Sequence, residues 1–207
     1  METIILAPNS ERHIVLWNPD STDICIRQEE NSHLTLHIVI KEQAKSANNI
    51  CIELVGEEAQ TDIYGLVMAS GNDDISIRTI VNHNVGKCKS RQLFKYVLND
   101  NATAAFDGLV VVRPDAQQTD AFQTNRNLIL SDKARIRTQP QLEIYADDVH
   151  CSHGASTGQL DENALFYMQQ RGISLNAARG LLVDAFCHEI LDTLPPQYRE
   201  TANEIAN

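Results

Sequence analysis

The sequence predicts a mainly β protein, a β-solenoid, followed by a small C-terminal helical domain. Three observations carry this. The segments DICIR, NICIE and DISIR begin at Asp23, Asn49 and Asp74, spaced by about 25 residues, and a fixed period of that size marks stacked repeats. Further short aliphatic runs (HLTLHIVI, IYGLVMA, GLVVV, NLILS, QLEIY) lie between and beyond them. After Gly154 the pattern changes to helix. The expected division is a β-helix core over 1–153 and a helical domain over 154–207.

Each rung is expected to be a coil of two or three strands. Ile24 and Ile26, Ile50 and Ile52, and Ile75 and Ile77 alternate by two, so each pair points to one face. No rung can bury that face alone, and stacking builds a shared aliphatic column. Cys25, Cys51 and Ser76 fall between the isoleucines and are expected in one outward register. Stacked outward thiols suit a soft metal; the competing reading is a ladder of small residues under a partner. An antiparallel β-sandwich is the competing architecture.

The helical block opens with DENALFYMQQRG, in which Asp161 can cap the N-terminus and Gly172 the C-terminus. Ser174 can cap a second helix whose apolar residues Ala178, Leu182, Phe186 and Ile190 form one stripe. Pro195 and Pro196 stop it. A third amphipathic piece is expected to align Tyr198, Ala202 and Ile205.

Composition excludes several functions. The chain has 207 residues, 43% hydrophobic and only 5% aromatic, with a net charge of −11. Lysines and arginines are scattered, which argues against nucleic acid, because phosphate contacts need clustered cations. An acidic chain without a long apolar run argues against a membrane. Five cysteines without a CxxC pair fit free thiols in a reducing cytoplasm. P-loop, Rossmann and GxSxG signatures are absent. The acidic pairs Asp73-Asp74 and Asp147-Asp148 raise the alternative of a carbohydrate-active β-helix enzyme. Adjacent strand residues point to opposite faces, however, so neither pair converges on one substrate.

The densest chemistry is His150-Cys151-Ser152-His153. In an extended chain Cys151 and His153 share one face. Thiolate and imidazole suit iron, zinc or an iron–sulfur centre, yet two ligands do not complete a site. A structural hinge, a partial metal site and a Cys–His nucleophile pair all stay open at this level.

The segment from Gln123 to Leu191 resembles the C-terminal part of the SufB/SufD family of iron–sulfur cluster assembly proteins. The resemblance rests on PQLEIYADDV, CSHGA, GQLDENALFY and RGI. His153-Gly154 is similar to the SufD branch; the SufB branch carries glutamate where Gly154 stands. The resemblance implies a right-handed parallel β-helix with a small helical domain. It implies a non-catalytic scaffold that pairs with a SufB-like subunit and docks a SufC-like ATPase. It implies a transient iron–sulfur cluster shared with the partner, with His153 as a ligand and Cys151 as a weaker one. Reduced flavin in the complex is a further cofactor it points to. Leu165, Phe166, Tyr167 and Arg171, with Leu182 and Phe186, fall in the region that would dock the ATPase. Family members are longer, so an N-terminal region is expected to be missing here. An open solenoid end then predicts a homodimer when the chain is alone. A paralogue that keeps only partner docking is the remaining alternative.

Overall fold

A computed structural model describes residues 2–41 and 44–198. Ala202 and Ile205, expected in a third amphipathic piece, lie outside the described residues. One parallel sheet holds β1 (Glu2–Leu6), β3 (Ser21–Gln28), β5 (Lys45–Leu54), β7 (Asp74–His83), β9 (Thr103–Val112) and β11 (Arg135–Ile144). A second holds β2 (Glu11–Trp17), β4 (His33–Lys41), β6 (Gln60–Ala69), β8 (Lys89–Leu98), β10 (Thr119–Ile129) and β12 (Val149–Gly158). The chain alternates between the sheets, two strands per turn, giving a β-solenoid of about five turns. Helices α1 (Glu162–Gln170) and α2 (Leu175–Leu191) follow.

The corners explain how the coil closes. Asn9, Asn31, Glu58, Lys87 and Gln118 each adopt a left-handed backbone where the chain passes from the odd to the even sheet. Asparagine tolerates that conformation best. The corners also bond to one another: Asn9 N donates to Glu30 O at 2.9 Å, Asn31 N to Glu57 O at 2.8 Å and Lys87 N to Gln117 O at 2.8 Å. The Asn31 amide adds a 2.8 Å bond to Asn9 Oδ1.

The isoleucine pairs lie inside, as period two requires; Ile26, Ile50, Ile52, Ile75 and Ile77 are all buried. The expected three-fold register holds for two rungs only. Ile24, Cys25 and Ile26 lie beside Ile50, Cys51 and Ile52. On the next rung those positions meet Thr79, Ile80 and Val81, while Ser76 lies beside Ala47. The rung between β5 and β7 is longer, and an even shift leaves every inward residue inward. Ser76 therefore does not extend the cysteine ladder.

The interior changes character along the axis. Inside β4 stand Leu34, Leu36, Ile38 and Ile40. In the middle, the Phe94 and Phe106 ring centroids are 4.5 Å apart. Phe94 fits because residue 65 is glycine: a Cβ there would sit 2.1 Å from Phe94 Cδ1. Inside β10 stand Ala121, Gln123, Asn125 and Asn127.

Both helix starts match the sequence. The Asp161 carboxylate accepts from Asn163 N at 2.8 Å, and the Ser174 hydroxyl from Ala177 N at 3.3 Å. Gly172 is left-handed at φ 85°, as expected for a residue that ends α1. The expected stripe on α2 faces inward, with Ala178 and Ile190 buried and Phe186 half-buried, and it widens toward the C-terminus. Cys187, Ile190 and Leu191, with Leu194 beyond the helix, pack on Val39, Leu66, Val97 and Leu128 from the outer face of the even sheet. Leu182 is only half-buried. Glu189 ties the helix down through contacts with the buried Lys95 Nζ and with Arg126 at 3.0 Å. The Lys95 hydrogen bond holds the Glu189 carboxyl below its usual range despite partial burial, with Arg126 assisting.

The strand ladder passes the boundary expected at His153. β12 stays in register with β10 from Thr119–Val149 to Leu128–Gly158, and Gly154 lies beside Thr124. Ser156, Thr157 and Gly158 have weak strand preference of their own, and pairing with β10 holds them in the strand.

Candidate functional site

Among the described residues β12 ends its sheet: it pairs with β10 on one side, and no described strand pairs with its other edge. Backbone groups on such an edge can accept another strand. This strand carries the His/Cys cluster. Its face pattern puts Val149, Cys151 and His153 on the inner side, beside Thr119, Ala121 and Gln123 of β10. Val149 and Cys151 pack against the core, whereas His153 is exposed. His150 points the other way, with Nδ1 3.4 Å from Asp120 Oδ1. The structure thus separates the cluster into an inner Cys151/His153 pair and an outer His150. Burial pushes the Cys151 thiol up and the Asp120 charge adds to it. Cys151 therefore needs an incoming cation to become a thiolate ligand. Among the described residues no three His, Cys, Asp or Glu side chains converge as a metal site.

Beside β12 runs a row of buried amides that sequence reasoning missed, starting at Gln123 next to His153 and continuing next to Ala155 and Thr157. Gln123, Asn125 and Asn127 alternate along β10 and are all buried. Asn127 Nδ2 donates to Asn125 Oδ1 at 2.7 Å and to Thr157 Oγ1 at 3.1 Å; Thr138 Oγ1 donates to Asn125 Oδ1 at 2.8 Å. Neither polar atom of the Gln123 amide has a hydrogen-bond partner among the described residues. The signal in the sequence pointed the wrong way. In AFQTNRN, polarity assigns Phe122 to the core and the amides to solvent, whereas Phe122 is 39% exposed.

The acidic pairs do not form a carboxylate site. Asp73 Oδ2 accepts from Ser70 N at 3.0 Å in a turn, Asp74 Oδ1 from Thr103 Oγ1 at 3.1 Å, and Asp148 N bonds Gln117 Oε1 at 2.9 Å.

The helix residues singled out by sequence divide into two sets. Phe166 and Tyr167 are 62% and 59% exposed, and the Arg171 guanidinium lies 4.8 Å from the Tyr167 ring centroid. These three form an exposed aromatic-cationic face on α1. Leu165 is buried, and half-buried Phe186 packs on the even sheet. A cavity of about 430 Å³ lies between the helices and the strand ends, lined by Ile129, Leu130, Leu165, Arg179 and Val183 among others. No described helix is long and apolar enough to cross a membrane.

Comparison with known proteins gives the same direction. The family model "SUF system FeS cluster assembly, SufBD core domain" matches residues 13–186. The iron–sulfur cluster assembly protein SufD of Escherichia coli is 42% identical over 147 residues, 71% of this chain and 35% of that protein. A SufBD family protein of Synechocystis is 42% identical over 72% of this chain and 33% of its own length. Protein ABCI7, chloroplastic, of Arabidopsis thaliana is 36% identical over 82% of this chain and 36% of its own length. The chain spans about a third of the length of these curated relatives. A parallel solenoid with C-terminal helices, a CSH strand on its last rung and a family match over most of its length together show that the chain belongs to the SufB/SufD family of the SUF iron–sulfur cluster assembly system.

Proposed function

We propose that the chain is a non-catalytic scaffold subunit for iron–sulfur cluster building. It pairs with a SufB-like subunit, and a transient cluster forms across that interface as cargo. The observation that carries this reading is the edge of β12 left unpaired among the described residues, on a strand that presents His153 and Cys151 on one face at the end of the solenoid. Two protein ligands hold a cluster incompletely, which suits a scaffold that must release it. The partner supplies the rest. His153 is the principal ligand here and Cys151 the weaker one, since its thiol must first be deprotonated.

The exposed Phe166, Tyr167 and Arg171 face supports docking of a SufC-like ATPase. Aromatic and arginine side chains are the residue types that anchor interfaces. Leu182 and Phe186 are half-buried on the adjoining helix and support this surface from within. ATP binding lies with that partner, and reduced flavin is, in this reading, a ligand of the assembled complex. Alone, the chain forms a homodimer in this reading. The free cysteines fit a cytoplasmic, reducing setting.

The test is cluster reconstitution on the assembled complex with His153→Ala. Iron and acid-labile sulfide should fall while the complex stays assembled, because an exposed side chain contributes little to the fold. Unchanged cluster yield with intact docking would mark a paralogue that keeps only partner binding. The isolated chain should hydrolyse no ATP and should stimulate the partner's hydrolysis; turnover by the chain itself would overturn the scaffold reading.

A further inference from the structure

A second pair of metal-binding side chains lies on the other sheet. Cys25 on β3 and Cys51 on β5 are direct register partners on neighbouring parallel strands. Both face outward and are half-buried, and both are free thiols. Thr3 precedes them in the column and Ile80 follows. We propose that Cys25 and Cys51 together bind one soft monovalent metal ion, Cu(I), as a two-coordinate bis-thiolate.

Spacing decides between a metal bridge and a disulfide. Neighbouring strands lie about 4.7–4.9 Å apart, whereas disulfide Cβ atoms sit about 3.8 Å apart. Both cysteines are free thiols, and Cβ atoms held at the strand spacing lie just beyond the disulfide range of about 3.5–4.5 Å. Two metal–sulfur bonds of about 2.3 Å laid end to end span about 4.6 Å, close to the strand spacing.

The surroundings also set the coordination number. Glu53 is a neighbouring carboxylate: it accepts from Cys51 Sγ at 3.4 Å and Asn82 Nδ2 at 2.6 Å through Oε1, and from Asn84 Nδ2 at 2.7 Å through Oε2. Those bonds occupy both of its oxygens. Among the described residues no third His, Cys, Asp or Glu completes a ligand set. Tetrahedral zinc is therefore disfavoured, and a soft ion content with two thiolates is favoured. Burial pushes the Cys51 thiol up, and the Cys25 thiol beside it and then the Glu53 charge add to this. Binding forms two S–Cu bonds and releases two protons to solvent, with no change of oxidation state, so it strengthens as pH rises.

The site is independent of the cluster reading, since it lies on the first rungs of the sheet that lacks His153. The probe is Cu(I) supplied anaerobically from its bathocuproine disulfonate complex to the full chain. The parent chain should withdraw one equivalent, Cys151→Ser should do the same, and Cys25→Ser and Cys51→Ser should each lose that equivalent. X-ray absorption on the loaded parent should show two sulfur neighbours, and Cu(I) should protect Cys25 and Cys51, but not Cys151, from alkylation mapped by mass spectrometry. These last two readouts use only the parent chain and so do not depend on the folding of a variant. Retention of the equivalent in either serine variant, three or more ligands at copper, or unprotected Cys25 and Cys51 would each overturn the proposal.

Discussion

Lys95 and Phe186 meet twice. The Lys95 ammonium donates to the Phe186 carbonyl oxygen at 2.6 Å and sits 4.3 Å from the centroid of the Phe186 ring. The lysine side chain is 3% exposed, and Glu189 is its counter-ion. One residue of β8 thus fastens backbone, ring and carboxylate of α2. Lys95→Ala should lower stability by about 2 kcal/mol, the range for a buried charged hydrogen-bonding group. Hydrogen exchange should rise first in Leu175–Leu191. Equal loss of protection across the strands would show that Lys95 serves the solenoid instead.

Acid should destabilise the fold in a defined window. Burial lowers the pKa of His83 to about 4, and its Nε2 lies 2.8 Å from Ser90 Oγ. The unfolded chain takes up that proton near pH 6.5. The destabilisation from this residue is therefore absent above about 6.5, grows as pH drops toward 4, and is complete below. The loss is about 3 kcal/mol for this residue. His37 is also lowered to about 4, by burial and then by the neighbouring His13. It bonds Thr193 Oγ1 at 2.7 Å, so the chain just after α2 should loosen in the same window. Urea midpoints measured at pH 7 and pH 4.5 check the slope, and His83→Gln should flatten it.

Gly108 and Gln123 share one space in the interior. A Cβ at Gly108 would come within 2.3 Å of Gln123 Nε2 and 2.8 Å of Phe106 Cζ. Gly108→Ala should destabilise the chain by about 1–3 kcal/mol through overpacking. Adding Gln123→Ala should recover part of that loss, a coupling that a double-mutant cycle reads directly.

On the helices, burial separates two outcomes. Leu165→Ala should cost about 2–3 kcal/mol of stability by leaving a cavity. Phe166→Ala and Tyr167→Ala should change the unfolding free energy by less than about 0.5 kcal/mol, yet weaken binding of the SufC-like ATPase. Calorimetric titration with that partner, beside thermal unfolding of each variant, separates the two.

Gly154→Glu tests the branch difference at the CSH strand. A Cβ at Gly154 meets nothing within 4 Å, so the fold does not require glycine there. The variant should unfold within about 0.5 kcal/mol of the parent, and any change in cluster yield then reports on the site rather than the fold.

The solenoid was legible because its outer signals are local. Ile24, Ile26, Ile50 and Ile52 alternate inside strands, and Asp161, Ser174 and Gly172 punctuate the helices where side-chain chemistry demands. Register was less legible. Ile75 echoes Ile50 in sequence but lies beside Ser46, because the length of a rung is set by its corner, which hydrophobic pattern does not encode. The site was half legible. Residue type drew attention to Cys151 and His153. The amides on the neighbouring strand stayed hidden, because Gln123, Asn125 and Asn127 are buried by the rungs around them and not by their own polarity.

The shift from leucine and isoleucine inside β4 to amides inside β10 gives the molecule a soft end. In a stacked array each rung is held mainly by its neighbours. A rung floored by amides gains less by excluding water than one floored by isoleucine. Breathing motions should therefore begin at β11 and β12 and die away toward β4. Receptivity to a visiting strand and resistance to unfolding are placed at different points along one axis, so the last turn can open and reclose while the first turns hold the shape.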